Sequence, residues 1–407
     1  METQATTKAA APAARILVAG LGDAGCNVAA RLLRDWGPGP ELVAINTDIS
    51  AFKGRAGMRC VQLGVNLTAG AGAGGNPEAG RRSAEADRAV LQEVLAEADL
   101  LFMIAGMGGG TGAGAAPALA RTAAEAGARV LAFAILPFDF EGALRREQAA
   151  RGLAALREAA DAVICLPNQR LFDLCGGSAA PERAFEEADG LLAAGIYAIW
   201  RALSGKGTLN LRLPDFKGML EQGRTGGCVM ACVQGSGPDR VAMALEALRA
   251  HPLLEHGGVL ARAPACLVSA LSGLDLSLGE LNSLMPAIED MAGAGAMRMA
   301  GLVCDPDWQD RLLVTVLACD ESVDAAAPAA PGNDAAAAFD KPDSKHEPPV
   351  EADSSRLTQQ GLFDQPDGAA IPGRFKNIEP TIHEGQNLDI PTFIRRRIPL
   401  QKRSARA

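Results

Sequence analysis

The stretch LLFMIAGMGGGTGAGAA, from Leu100 to Ala116, decides the fold of this 407-residue chain. Its first six residues are apolar, which is typical of a strand buried in a parallel sheet. Five of the seven residues from Gly108 to Gly114 are glycine, and an alanine-rich stretch follows, with Pro117 in the predicted first turn of a helix. This order brings backbone N–H groups and a positive helix terminus to one point. The stretch therefore predicts a phosphate-binding site.

Two more glycine segments lie nearer the N-terminus. GLGDAGCN (residues 20–27) follows a strand predicted at 15–19, and the strand predicted at 42–45 runs into Asn46-Thr-Asp48. A GxGxxG segment with an acidic residue further on also occurs in dinucleotide enzymes, so an NAD-dependent oxidoreductase is a competing interpretation. The third segment, GAGAGGNPEAGR (residues 70–81), is predicted as a loop. Three glycine loops favour a triphosphate ligand, because the sequence has no Walker-type lysine to hold one.

The glycine segments resemble those of a known family. Residues 108–114, GGGTGAG, resemble the signature of the tubulin/FtsZ family, in which the position of Ala113 is usually threonine. The GxGxxGxN, Asn-Thr-Asp and NPExGR segments resemble the FtsZ branch as well. NLDIPTFIRR (residues 387–396) resembles the C-terminal peptide of bacterial FtsZ. Two unrelated motifs in the same order identify the chain as a divergent FtsZ-like member, with the resemblance covering residues 15–320 and the terminal peptide.

The resemblance implies a site for GTP or GDP with Mg²⁺. In PFDFEGALR (residues 137–145) the family uses the positions of Glu141 and Arg145 to contact the ribose and the nucleotide, although a simple surface ion pair is the alternative. The positions of Asn168 and Asp189 read the base, and a carboxylate accepts both N1–H and the exocyclic amine of guanine. The predicted nucleotide-binding residues are Gly22, Asp23, Ala24, Asn27, Asn46, Gly72, Ala73, Gly74, Gly108, Gly109, Gly110, Thr111, Gly112, Ala113, Gly114, Glu141, Arg145, Asn168 and Asp189.

The segment GKGTLNLRLPDF (residues 205–216) falls where the family has its catalytic loop, NxDxxD, which completes the nucleotide site of a neighbouring subunit. Asn210 and Asp215 match this pattern, whereas Arg212 replaces the first acid and reverses its charge. The predicted catalytic residues are therefore Asp215, Asn210 and Arg212. Either Arg212 pairs with Asp215 and lowers hydrolysis, or it reaches the γ-phosphate and raises the rate.

The expected fold class is α/β, with a Rossmann-like parallel-sheet GTPase domain, a central connecting helix, a smaller α/β domain with a mixed sheet and a disordered C-terminal tail. Apolar residues at spacings of three and four predict the central helix from Pro181 to Leu203. The strand at 162–166 is expected to be the last of the first sheet. The predicted divisions are a disordered tail at 1–14, the GTP-binding domain at 15–180, the central helix at 181–204, the C-terminal domain with the catalytic loop at 205–323, a disordered linker at 324–385 and a docking peptide with a basic tail at 386–407.

Composition excludes several classes of function. A net charge of −9 and a pI of about 5.2 argue against general nucleic-acid binding. Nine cysteines without a CxxC pair fit reduced thiols, and four scattered histidines predict no metal site. No apolar run approaches the ~20 residues of a membrane span, and the N-terminus lacks a signal core. A cytoplasmic protein is expected, at the division site beneath the membrane.

The resemblance implies a head-to-tail homopolymer that hydrolyses GTP between subunits during bacterial cell division. Residues 387–397 are expected to bind division proteins and membrane anchors, with the membrane surface reached indirectly. One alternative is a hydrolysis-poor paralogue that acts as a structural regulator, which Arg212 and Ala113 favour. The nicotinamide oxidoreductase is the other, supported by GxGxxG and Asp48 alone.

Overall fold

The computed structural model describes residues 14–37, 39–172, 181–205, 207–222, 227–293 and 295–320, together with 382–383 and 386–387. Within this part of the chain, ten strands form one continuous sheet flanked by helices, which confirms the predicted fold class. The strands are β1 Ile16–Leu21, β2 Glu41–Asn46, β3 Arg59–Gln62, β4 Leu100–Gly106, β5 Arg129–Leu136, β6 Ala162–Pro167, β7 Gly227–Ser236, β8 Ala265–Ser272, β9 Met297–Cys304 and β10 Arg311–Asp320.

The strands follow the order β3-β2-β1-β4-β5-β6-β7-β10-β8-β9 along the sheet. The first six of these pair parallel, as crossover helices between successive strands require. β10 lies antiparallel between β7 and β8, and β8 pairs parallel with β9. The prediction that β6 is the last strand of a separate sheet is wrong, because Ile164 of β6 pairs with Cys228 of β7. This one pair joins the parallel part of the sheet to its mixed part.

Helices connect the strands and cover both faces of the sheet. They are α1 Gly22–Trp36, α2 Val65–Thr68, α3 Pro77–Ala86, α4 Arg88–Leu95, α5 Gly110–Glu125, α6 Ala143–Ala159, α7 Asn168–Phe172, α8 Pro181–Leu203, α9 Leu213–Gln222, α10 Arg240–Ala250, α11 Gly258–Arg262 and α12 Leu278–Met291. The bounds of α8 are those that its apolar spacing predicts. Asp215 was expected in a loop but lies in the first turn of α9.

Two local predictions are corrected by the structure. Pro117 lies in the third turn of α5 and not in its first, because the signature residues from Gly110 onward are themselves helical. The glycine segment predicted as a loop over 70–81 ends at Asn76, whose side-chain oxygen accepts a hydrogen bond from the amide of Glu78 at 3.0 Å. This cap starts α3 at Pro77, the position in a helix where proline's missing N–H costs nothing.

The hydrophobic core lies on both faces of the sheet. Side chains alternate along β4, so that Leu100, Phe102 and Ile104 pack with α1, α8 and the mixed part of the sheet, whereas Leu101 and Met103 pack beneath α3 to α6. All five side chains are fully buried. A strand that is covered on both faces has no polar side, which is why its sequence is an unbroken apolar run.

A stack of aromatic rings joins α1, α8 and the turn between β9 and β10. The ring of Trp36, at the end of α1, lies 4.3 Å from that of Tyr197 on α8 and 5.2 Å from that of Trp308, centroid to centroid. The two indole planes are inclined by 7°. The guanidinium of Arg311 also lies over the ring of Trp308, 4.5 Å from its centroid.

Little of the C-terminal unit, residues 338–407, is described. Its described residues are two short antiparallel strands, Ile382–His383 and Gln386–Asn387. The N-terminal tail predicted at 1–14, apart from its last residue, lies outside the described residues, as do the rest of the predicted linker and the docking peptide. Among the helices of the described part, none is long and apolar enough to cross a membrane.

Candidate functional site

A cleft of about 510 Å³ opens at the carboxyl ends of the parallel strands. This is where an open α/β sheet binds its ligands, since the loops that follow successive strands meet there. Every predicted nucleotide-binding residue lines the cleft except Ala113 and Gly114. Ala113 packs against Gly152 of α6, and Gly114 lies against the backbone of Pro77 in α3. These two glycine-signature positions therefore serve helix packing and do not face the cleft.

The starts of α1 and α5 meet at the floor of the cleft. Gly22 begins α1 with a positive φ of 71°, and a Cβ there would lie 3.2 Å from the Gly112 nitrogen of α5. A Cβ on Gly112 would lie 2.1 Å from the carbonyl oxygen of Gly106. Glycine is needed at both positions, so that two helix N-termini converge with their free N–H groups toward the cleft. Such a pair of termini binds phosphate oxygens.

The third glycine loop forms a wall of the cleft. Gly72, Gly74 and Gly75 all have positive φ, a backbone geometry that side chains other than glycine rarely adopt. Ala71 forms a bridge with Asp48, the residue after the predicted Asn-Thr pair. The Ile49 amide donates a hydrogen bond to the Gly70 carbonyl oxygen at 3.1 Å, which ties the two loops together. The loop adds further backbone N–H groups beside those of α1 and α5.

Asn168 of α7 and Asp189 of α8 also line the cleft, although both are far along the chain from the glycine loops. Within the described residues neither side chain makes a hydrogen bond to another protein group. Burial raises the pKa of the Asp189 carboxyl to about 7, although the nearby charge of Arg31 opposes this. The Asp189 carboxylate can therefore accept hydrogen bonds from a ligand bound in the cleft.

Glu141 and Arg145 also line the cleft, and they pair with each other. The Glu141 carboxylate accepts from Arg145 Nη1 at 2.5 Å and from the Phe138 amide at 2.8 Å. Phe185, one turn before Asp189 on α8, lines the cleft as well and stacks edge-on against Phe138, 4.8 Å between centroids. Sequence reasoning missed Phe185, although its position four residues before Asp189 places it on the same helix face.

The predicted catalytic residues do not line this cleft. They follow the C-terminal end of α8, where Asn210 exchanges two hydrogen bonds with the backbone of Gly207, at 2.7 and 3.0 Å. Arg212 Nε donates to Asp215 Oδ2 at 2.8 Å, and the Arg212 side chain is 80% exposed. Because α8 rises 1.5 Å per residue, its end at Leu203 lies roughly 20 Å along the axis from Asp189. The structure thus separates the two predicted sets within one subunit.

Most of the chain is similar to proteins of one known family. The family model "Tubulin/FtsZ family, GTPase domain" matches residues 15–176, and "FtsZ family, C-terminal domain" matches residues 226–321. The chain is 36% identical to the cell division protein FtsZ of Pseudomonas aeruginosa over 308 residues, which cover 76% of this chain and 77% of that protein. The chain belongs to the tubulin/FtsZ family. Other tubulin/FtsZ relatives agree: it is 35% identical to FtsZ of Pseudomonas putida over 74% of this chain and 75% of that one.

Solved structures of the tubulin/FtsZ family share the architecture. An empty FtsZ dimer from M. jannaschii superimposes with a TM-score of 0.69 at 28% identity, covering 75% of this chain and 88% of that one. Family membership places a GTPase domain on the parallel part of the sheet. It does not favour the nicotinamide oxidoreductase interpretation, which GxGxxG and Asp48 alone supported. In the structure, Asp48 caps a turn through Ser50.

Proposed function

We propose that this chain is a GTP-binding, filament-forming cytoskeletal protein of bacterial cell division, and that it hydrolyses GTP at the head-to-tail contact between subunits. The observation that carries the proposal is the separation of two half-sites along α8. The cleft lies beside Asp189 in the N-terminal half of this helix, and Asn210 and Asp215 follow its C-terminal end. A complete hydrolytic site then needs a second subunit placed head to tail, which gives an open filament unless the contacts close into a ring.

The cleft residues suggest how the nucleotide is held. The N–H groups at the starts of α1 and α5 and in the glycine loop at 72–74 hold the phosphates. Glu141 accepts the ribose hydroxyls, Arg145 contacts the nucleotide, and Asn168 and Asp189 read guanine. The described residues include no cluster of three metal ligands. A Mg²⁺ ion that enters with the nucleotide would neutralise the charge of its phosphate groups.

Asp215 of the adjoining subunit orients the attacking water, and Asn210 keeps the segment before α9 in shape through its bonds to Gly207. A second candidate function is a hydrolysis-poor paralogue that joins filaments as a structural regulator. The observation that favours it is the Arg212–Asp215 ion pair, which occupies one oxygen of the only acid of the pattern that this chain keeps.

The proposal extends to the divisions of the chain and its location. We assign nucleotide binding to 15–180, the connection to 181–204 and the catalytic segment to 205–323, with a linker at 324–385. Residues 387–397 dock division proteins and membrane anchors, which hold the filament beneath the membrane at the division site. Removal of residues 387–407 is expected to spare nucleotide binding and assembly and to abolish recruitment.

Competition binding and a tandem assembly assay test the proposal. GTP and GDP should displace a labelled guanine nucleotide at concentrations where ATP does not, because adenine lacks the pair of donors that Asp189 accepts. With GTP, light scattering and phosphate release should rise together above one threshold protein concentration. Equal competition by ATP contradicts the base assignment, and hydrolysis that is proportional to protein concentration without scattering contradicts the shared site. Scattering without phosphate release selects the paralogue.

A further inference from the structure

A small recess lies behind the residues that are proposed to read the base. It has a volume of about 20 Å³ and shares Ile135, Asn168 and Asp189 with the nucleotide cleft. Its other walls come from β6, α8, β7 and the turn after α10, and they are mostly apolar. A space of this size holds one water molecule, provided that two or more polar groups border it.

His251 is the polar group that the far side contributes. It directly follows α10, is 3% exposed, and its Nδ1 accepts a hydrogen bond from the Leu253 amide at 3.3 Å. An imidazole whose Nδ1 accepts carries its proton on Nε2, so Nε2 is a donor. Within the described part of the chain no protein acceptor is bonded to it. Burial lowers the pKa of His251 to about 4, so the ring is neutral near pH 7.

The Asp189 carboxyl is the matching acceptor. It borders both the recess and the nucleotide cleft, and burial raises its pKa to about 7. The other titratable side chains that line the recess are Cys232 from β7 and His251, and Arg31 from α1 acts on Asp189 through its charge. Burial raises the pKa of Cys232 to about 11, so neither it nor His251 changes charge between pH 5.5 and 9, an interval in which arginine stays charged. Asp189 is therefore the group of this set that titrates there.

We propose that the recess is a hydration site, in which one water accepts from His251 Nε2 and donates to the Asp189 carboxylate, making His251 a positioning residue for base recognition. The inference rests on the proposed guanine site. The water fixes one carboxylate oxygen from behind and favours the ionised form, which leaves the other oxygen for donors of the base. The turn after α10 thereby contributes to nucleotide affinity through a residue that does not touch the nucleotide.

The pH dependence of GDP affinity tests this proposal, because GDP avoids hydrolysis during the measurement. Binding requires ionised Asp189, so the apparent Kd of the wild type should be about tenfold weaker at pH 6 than at pH 8. His251→Leu removes the donor and should move the midpoint up by about one pH unit. Its Kd is then about fivefold weaker than wild type at pH 7 and unchanged at pH 9. His251→Gln, which restores a donor, should return the midpoint toward that of the wild type.

Two controls separate positioning from structure. His256→Asn changes an exposed histidine in the following turn and should leave the whole profile unchanged. A high-resolution crystal structure of the GDP-bound wild type should show a water within hydrogen-bond distance of His251 Nε2 and the Asp189 carboxylate, a test that needs no variant. An equal loss of affinity by His251→Leu at every pH, a flat wild-type profile, or an empty recess overturns the inference. Absence of GDP binding by the wild type overturns the proposed function instead.

Discussion

Arg212 forms an exposed ion pair with Asp215, in which Arg212 Nε donates to Asp215 Oδ2 at 2.8 Å. Arg212→Asp restores the acidic family pattern and frees the Asp215 carboxylate. An exposed pair is worth up to about 1 kcal/mol, so phosphate release above the assembly concentration should rise about two- to fivefold. GDP affinity should not change, because neither residue lines the cleft.

Two further variants interpret that result. Lys217→Asp makes the same change of charge on α9 and should not raise the rate. Arg212→Gln removes the cation without adding an acid, so a gain in this variant too attributes the effect to release of Asp215. A tenfold or larger fall in phosphate release by Arg212→Asp means that Arg212 reaches the γ-phosphate as a catalytic group, and the damping assignment is then wrong.

Two glycines at the start of α5, Gly109 and Gly114, are expected to respond in different ways to the same added methyl group. A Cβ on Gly114 would lie 1.9 Å from the Pro77 carbonyl oxygen, so Gly114→Ala should force α3 and α5 apart and lower the free energy of unfolding by about 1–3 kcal/mol. A Cβ on Gly109 meets no protein atom within 4 Å but enters the cleft. Gly109→Ala should keep the wild-type stability and bind GDP more weakly. Urea unfolding and GDP titration check both, and the reverse pattern contradicts them.

An ion-pair network ties α10 to the start of α12. The Arg240 side chain is 4% exposed and donates to Glu280 at 2.7 Å and to Asp275 at 2.6 Å. The hydrogen bond from Arg240 lowers the pKa of Glu280 from 4.5 to about 2. The folded state thus favours the ionised form, and this stabilisation is complete above pH 4.5 and is lost as the pH falls toward 2.

Arg240→Met should therefore lower the free energy of unfolding by about 1–2 kcal/mol at neutral pH, since it removes the hydrogen bonds of Arg240 to two partly exposed carboxylates. It should also flatten the decline in stability between pH 5 and pH 3. Urea unfolding at both pH values measures this, with Arg249→Met on the exposed side of α10 as the control. An unchanged acid slope in Arg240→Met places the acid sensitivity elsewhere.

Sequence patterns predict most elements to within about three residues, because each has a local signal, such as an apolar run for β4 and spacings of three and four for α8. The roles of the signature glycines are harder to predict from the sequence. None of the described glycines from Gly108 to Gly114 has a positive φ, and several are needed because another backbone segment approaches them. The partner segments, such as Pro77, are set by tertiary packing and leave no mark in the signature itself.

The site shows the same limit. The cleft residues follow strand ends that the sequence marks, so their convergence is predictable from the parallel sheet. His251 lies in the turn after α10, beyond the parallel part of the sheet. It lines the same recess as Asp189 because β6 and β7 pair at Ile164 and Cys228. A single pairing between two strands has no periodic signal, which is why the sequence predicts two sheets where the structure has one.

At the scale of the whole molecule, a site shared between subunits predicts complementation. Asp215→Ala keeps the cleft and lacks the acid, whereas Asp189→Ala keeps the acid and binds GTP about 1–3 kcal/mol more weakly. Each variant alone should release little phosphate at low GTP. An equal mixture should reach roughly a quarter of the wild-type rate, because one junction in four joins an intact cleft to an intact acid. Additive rates in the mixture contradict a shared site.

The aromatic stack at the end of α1 gives the chain an optical property. The protein has three tryptophans and one tyrosine, and the planes of Trp36 and Trp308 are inclined by 7° with their centroids 5.2 Å apart. Indoles this close share their electronic transitions, so the near-ultraviolet circular dichroism and the emission of the unlabelled protein depend steeply on their separation. Any movement of the β9–β10 turn relative to α1, during nucleotide exchange or assembly, should therefore change the circular dichroism and fluorescence spectra of the unlabelled protein.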